Sequence, residues 1–341
     1  MKKFIASLII CCTSFIIAAQ NTNEAIEYMN SITEKVFELE DETWQYLKAV
    51  TKGKKASKVE DKRSELVQGI KTAKLYVGRR KDFEGNDEFR QAMLNYLDMQ
   101  YTVLKEDYDK ILDMEKIAED SYDAMEAYLT AQEKASEKLD SSFQYMSNAQ
   151  KNFAKTYGIE LTDNLTKKGE RIQKASAAIS YYNDVYLIFF KSYKQEAYVL
   201  NAMNQEDLSA IVQHNNTLKQ FTKEGLEELR KLPSYKGDAS LKAEAMNVLK
   251  FYQKEAEEAF TSVVNLFMIK DEFEEIQQNL ESKSKKQRTQ KDIDQYNTKL
   301  NEYNQASEAY NKELQEANKE RIKVLTDWQN KVAHFMNNHG S

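Results

Sequence analysis

Pro233 is the only proline in 341 residues, and the nine glycines stand apart from one another. Proline lacks the amide that a helix interior needs, and glycine costs a helix about 1 kcal/mol relative to alanine. A chain so poor in both is free to run in long helices. Apolar residues recur at helical spacing throughout, and period-two alternation is nowhere sustained. The expected fold class is all-α.

Punctuation divides the chain into eight helices. The first is expected from about Thr22 to Thr51, with Ile26, Met29, Ile32, Val36, Leu39, Trp44, Leu47 and Val50 on one face. Gly53 and the lysines around it make the turn to a second helix, Ser57 to Arg79. The third runs from Asp87 to about Lys116, and the fourth from a cap at Asp120 or Ser121 to Gly158, a C′ glycine. The fifth starts at Thr162 or Asp163 and reaches Met203; the sixth covers Gln205 to Lys231 and stops at Leu232-Pro233-Ser234. The seventh is expected as one helix from Asp238 to Leu280, and the eighth from Thr289 to Asn337.

The chain also resembles itself at long period. Ala25 to Asn30 lies over Ala178 to Asn183, an offset of 153, with Ile32 over Val185, Phe37 over Phe190 and Leu47 over Leu200. Further on, Gly85 lies over Gly237, Phe89 over Leu241 and Leu97 over Leu249, an offset of 152. The last helices align at 171, with Ala135 over Ala306, Phe143 over Leu314 and Tyr157 over Trp328. The expected architecture is therefore two tandem, internally duplicated antiparallel four-helix bundles, residues 20–161 and 162–341. The rise in offset inserts nineteen residues within about 271–292 of the second copy. Shared between two helices, they lengthen a projecting hairpin by roughly 14 Å. Its second helix carries a heptad seam, Tyr296, Tyr303, Tyr310, Ala317 and Val324 alternating with Ile293, Leu300, Ser307, Leu314, Arg321 and Trp328. Such a seam specifies coiled-coil-like packing on a neighbour, either the preceding helix or another chain. An antiparallel pair within a monomer is the reading adopted.

The first nineteen residues read as a secretory signal peptide: Lys2 and Lys3, an apolar stretch from Phe4 to Ile17, and the small-residue site Ala18-Ala19-Gln20. Ile9 and Ile10 before Cys11 argue against a lipid anchor, which needs small residues there. Cleavage after Ala19 removes Cys11 and Cys12, both cysteines of the chain, so packing alone must hold the mature protein together. It also leaves 47 basic against 55 acidic residues, a formal charge of −8, with signs interspersed. That balance argues against nucleic acid as a partner. The longest strictly apolar run in the rest of the chain, Val185 to Phe190, is far too short for a transmembrane helix.

Little in the chain suggests chemistry. The three histidines, His214, His334 and His339, have no glutamate three residues before them, so the Glu-x-x-His pairs of di-iron bundles are missing. No nucleophile elbow and no phosphate-cradling glycine loop occurs. The expectation is no enzyme, no catalytic residue, no metal site and no cofactor. Two features exceed background. One is the hairpin tip, where Lys283, Lys285, Lys286, Arg288 and Lys291 form a basic patch suited to a protein or an anionic component of the envelope. The other is the aromatic fifth helix, where Tyr182, Tyr186, Phe189 and Tyr193 form either a central core stripe or a groove for a small molecule.

The signal ending in Ala18-Ala19-Gln20 and the segment Asn152-Phe153-Ala154-Lys155-Thr156-Tyr157-Gly158-Ile159 resemble all-helical surface or periplasmic proteins of Gram-negative, Bacteroidota-type bacteria. That resemblance implies an envelope location and no activity. Duplicated helical bundles also occur in imelysin-like envelope proteins, but their Gly-x-His-x-x-Glu signature is absent here. The functional expectation is a non-enzymatic exported protein of the periplasm or outer cell surface, acting as a binding or scaffolding module. The alternatives are an α-helical pore-forming protein, using Ala259 to Ile269 as its membrane-entering segment, and a small-molecule binder using the aromatic helix. Mass spectrometry of the exported protein is expected to find Gln20 at its N-terminus.

Overall fold

The computed structural model describes residues 13–14, 20–52, 55–107, 114, 117–162 and 166–340. The signal peptide and Gly53 otherwise lie outside these residues. The fold is all-α. The helices are α1 (Gln20–Thr51), α2 (Ala56–Gly78), α3 (Glu88–Thr102), α4 (Tyr122–Thr156), α5 (Lys167–Asn204), α6 (Leu208–Lys231), α7 (Ser240–Glu257), α8 (Ala259–Ser282) and α9 (Gln290–His339). A two-residue antiparallel pairing joins Thr13–Ser14 to Leu161–Thr162, a contact that removal of the expected signal peptide would abolish.

Two compact units are present: Met1–Asp184 with Ala333–Ser341, and Val185–Val332. The boundary between them lies inside α5, between Asp184 and Val185, and α5 has buried side chains on both sides of it, among them Ile172, Phe190 and Val199.

In the first unit α2 packs on α1 and α3, and α3 packs on α4. Every apolar residue assigned to the inner face of α1 is buried. Aromatic rings tie its ends together: Tyr28 of α1 lies 5.3 Å from Phe83 and 5.5 Å from Phe153 of α4, and Tyr157 lies 5.0 Å from Phe83. Gly158 takes the C′ position with φ +67°, and the Ile159 amide reaches back to the Ala154 carbonyl at 2.8 Å. The segment Asn152–Ile159 is thus a helix stop joined to an aromatic cluster. In the second unit α6, α7 and α8 pack on one another. Beyond Val263 on α8, and before Ala306 on α9, no described residue is buried. There the two helices pack on each other, with Phe273 stacked 5.4 Å from Tyr303 and 5.5 Å from Tyr296, and Lys270 of α8 also pairs with Glu206 at 2.7 Å. The preceding helix is therefore the neighbour of Tyr296 and Tyr303 on the heptad seam.

Two helices expected to be continuous are interrupted. α3 passes at Val103–Asp107 into a π turn, where Arg63 Nη1 donates to the Leu104 carbonyl at 2.5 Å. Residues 108–113, 115 and 116, the rest of the expected third helix, lie outside the described residues. The expected seventh helix breaks at Glu258 (φ −103°, ψ −80°) into α7 and α8. There Asn215 Nδ2 donates to the Ala256 carbonyl at 3.1 Å, and Thr261 Oγ1 donates to the same oxygen at 3.2 Å. In each case a side-chain donor from another helix reaches a carbonyl where the regular helix ends. Donor and acceptor both recur 152 positions on. So does the turn before: Phe83 bridges Asn86 over Glu84 and Gly85, and Tyr235 bridges Asp238 over Lys236 and Gly237, with positive φ at all four central residues.

Phe153 touches Tyr28, Phe83, Phe89 and Tyr157 and is 2 % exposed. Urea denaturation of Phe153→Ala is expected to show a loss of about 3–5 kcal/mol. Ile322→Ala, at a side chain largely in solvent, should stay within about 0.5 kcal/mol of the parent.

Candidate functional site

The expected basic tip is a built turn. Lys283 pairs with Asp292 at 2.8 Å, and Arg288 Nε donates to the Lys283 carbonyl at 3.1 Å. Thr289 and Asp292 cap α9 reciprocally, the Thr289 amide donating to Asp292 and the Asp292 amide to the Thr289 hydroxyl. The Lys283 hydrogen bond, then those from Thr289, pull the Asp292 carboxyl down to about 2. Lys283 and Arg288 are thus spent on the turn. Lys285, Lys286 and Lys291 are exposed and make no ion pair among the described residues.

Of the aromatic set on α5, Tyr182 belongs to the first unit and Tyr186, Phe189 and Tyr193 to the second. Burial, then the nearby Glu119 carboxylate, hold the Tyr182 phenol well above its ordinary range. Phe189 is buried, with rings of Trp328 at 5.1 Å, Tyr193 at 5.7 Å, Tyr186 at 6.0 Å and Tyr252 at 6.5 Å around it. Protein side chains therefore occupy the Phe189 face of the stripe.

Beside that cluster lies a group that composition did not point to. Arg321 of α9 stands between two carboxylates, Glu196 of α5 and Glu255 of α7. Its Nε lies 2.5 Å from Glu196 Oε1, its Nη2 donates to Glu255 Oε1, and its Nη1 donates to Asn318. Their side chains are 14 %, 4 % and 0 % exposed for Arg321, Glu196 and Glu255. One guanidinium cannot neutralise two buried carboxylates, and a net buried charge is costly. Burial, then repulsion from Glu196, push the Glu255 carboxyl up to about 8 against the pull of Arg321. Burial raises Glu196 as well, opposed by Arg321. The Tyr252 hydroxyl, also buried, is held well above its usual range by burial and by these two carboxylates. Burial thus favours the protonated form of both carboxyls, and the group joins α5, α7 and α9.

Among the described residues, no three His, Cys, Asp or Glu side chains converge to hold a metal ion. His214 Nδ1 faces Gln195 Nε2 at 3.1 Å, and His334 faces Asn338. Among the described residues no helix is long and apolar enough to cross a membrane. In the segment Ala259 to Ile269, the side chains of Ala259, Phe260 and Val263 are turned into the core. Comparison of the chain with protein-family models, with curated proteins and with solved structures finds no match in any of the three.

The buried group did leave a trace in the sequence. Arg321 sits on a seam otherwise held by apolar and small residues. Glu196 follows Phe189 by seven positions, and Glu255 follows Phe251 by four, spacings that keep both on apolar helical stripes. In a chain with 55 acidic residues these two do not stand out until three helices meet.

The raised Glu255 value sets a sign for pH dependence. Between 4.5 and about 8 an unfolded chain gives up this proton while the folded one keeps it. Stability from this group is full below the lower value and lost as pH rises through the upper. The urea midpoint is expected to fall over that interval, and Glu255→Gln, which mimics the protonated side chain, should flatten the fall. Arg321→Leu leaves both carboxylates without a cation and should cost about 3 kcal/mol at neutral pH.

Proposed function

We propose that this chain is a non-enzymatic, exported envelope protein of the periplasm or outer cell surface, a binding or scaffolding module made of two copies of one four-helix unit. The signal-like N-terminus and the resemblance to helical envelope proteins support the location. The recurrence at 152 positions of the Phe83–Asn86 turn and of the Arg63-to-Leu104 contact supports the duplication. A donor, its acceptor and a two-residue turn returning at one offset are difficult to obtain from chance likeness between amphipathic helices.

The contact surface of the module is the helical hairpin of α8 and α9. The observation that carries this reading is the division of labour at its tip. Lys283 and Arg288 complete the turn, while Lys285, Lys286 and Lys291 extend into solvent from a hairpin that no third helix covers near its end. A fold gains nothing from ordering such an extension unless it meets something. Three free ammonium groups select a partner with carboxylates or other anionic groups, either a protein or an anionic envelope component.

A photo-crosslinking residue in place of Lys285, in cells that export the protein, tests this. A discrete adduct is expected, lost when Lys286→Glu and Lys291→Glu are added while the circular dichroism spectrum is unchanged. Absence of any adduct, or one indifferent to the charge reversal, would overturn the reading.

A further inference from the structure

We infer that the partner of the hairpin is a second copy of this chain, and that the two hairpins pair antiparallel about a twofold axis, each cationic tip seated on an acidic cleft at the base of the other. The inference rests on the reading of the hairpin as a contact surface and names its occupant.

The cleft lies where α7, α8 and α9 meet. It encloses about 30 Å³, near the size of an ammonium group, and Glu255, Glu258, Glu313, Glu316 and Glu320 line it. Lys254, the cation in its lining, is taken by Glu320 at 2.8 Å. Glu258 and Glu316 in this lining are exposed and make no ion pair among the described residues, so the cleft presents two carboxylates that a cation from outside can reach.

The tip offers one, at a spacing that closes on itself. Lys291 and Glu316 are 25 positions apart on α9, close to seven whole turns, so both lie on one face about 37 Å apart. Two copies of such a face, laid antiparallel, bring each Lys291 to the other's Glu316 and put the axis level with Tyr303 and Asn304. A twofold interface requires a patch that is its own complement, and this stripe is positive at one end and negative at the other. Across the hairpin, Lys299 pairs with Glu272 and Glu313 accepts from Ser262, so the α8 residue level with the axis is about Met268. Met268 is 52 % exposed, and its spacing from Glu272, Glu275 and Asn279 puts it on their face of α8. Those three residues line a cleft of about 450 Å³ together with Gln295 and Lys299 of α9. An exposed methionine thus stands where the two copies meet. Glu302, the acid nearest the axis on the α9 stripe, is already paired with Lys299 at 2.6 Å.

Sedimentation of the full chain at low and high salt tests the pairing. A dimer that weakens with salt is expected. A tip-reversed variant (Lys286→Glu with Lys291→Glu) and a cleft-reversed variant (Glu313→Lys with Glu316→Lys) should each raise the dimer Kd at least tenfold. Mixing the two should restore dimerisation, since each reversed tip then faces a reversed cleft and each native tip a native one. Met268→Cys, in a chain carrying Cys11→Ser and Cys12→Ser, should crosslink to itself under oxidation. A monomer at about 100 µM and low salt, or a dimer that survives both reversals and does not crosslink through position 268, overturns the inference. Identification of the Lys285 adduct as a different molecule would overturn it while leaving the hairpin as the contact surface.

Discussion

A helix with neither proline nor glycine in its interior can still be turned where a side chain reaches one of its carbonyls, and each unit of this protein contains such a place. Arg63 takes the Leu104 carbonyl and α3 passes into a π turn; Asn215 takes the Ala256 carbonyl and the helix breaks at Glu258. The break in the second unit has a further consequence. It ends α7 just after Glu255 and lets α8 leave on a new course. Glu255 therefore stays in the core with Arg321 while the chain beyond it becomes one arm of the hairpin.

Arg321 performs the corresponding service for α9. Its guanidinium meets carboxylates from α5 and α7, so three helices share one charged contact. Buried ion pairs add little net stability compared with apolar packing, but they penalise every arrangement that leaves a charge unpaired. For amphipathic helices whose apolar faces resemble one another, that penalty fixes which helix lies against which and at what height. The unequal count of one cation and two carboxylates is what makes the cluster sensitive to protons.

Much of the fold was legible in the sequence. Turn and cap residues placed most helix ends within a few positions, because Ser121, Gly158 and Pro233 act on their own neighbours. The inner face of α1 could be listed residue by residue, since a 3.6-residue period and burial are the same fact seen twice. The breaks at Val103 and Glu258 were not legible, because the donor that causes each comes from a different helix. Of the tip cations, composition shows five and geometry separates two that build the turn from three that face solvent. The aromatic stripe of α5 was visible, but Trp328 and Tyr252, which enclose Phe189, arrive from distant sequence.

By itself the sequence determined the class of the protein: helices throughout, because breakers are nearly absent and the apolar period is helical everywhere. It also determined their order and most of their ends. Only the tertiary structure decided which charges are buried, which lysines are free and where two helices break. Those properties depend on distances between residues remote in the chain. A glutamate on a solvated face and one buried against an arginine are the same letter until the helices meet.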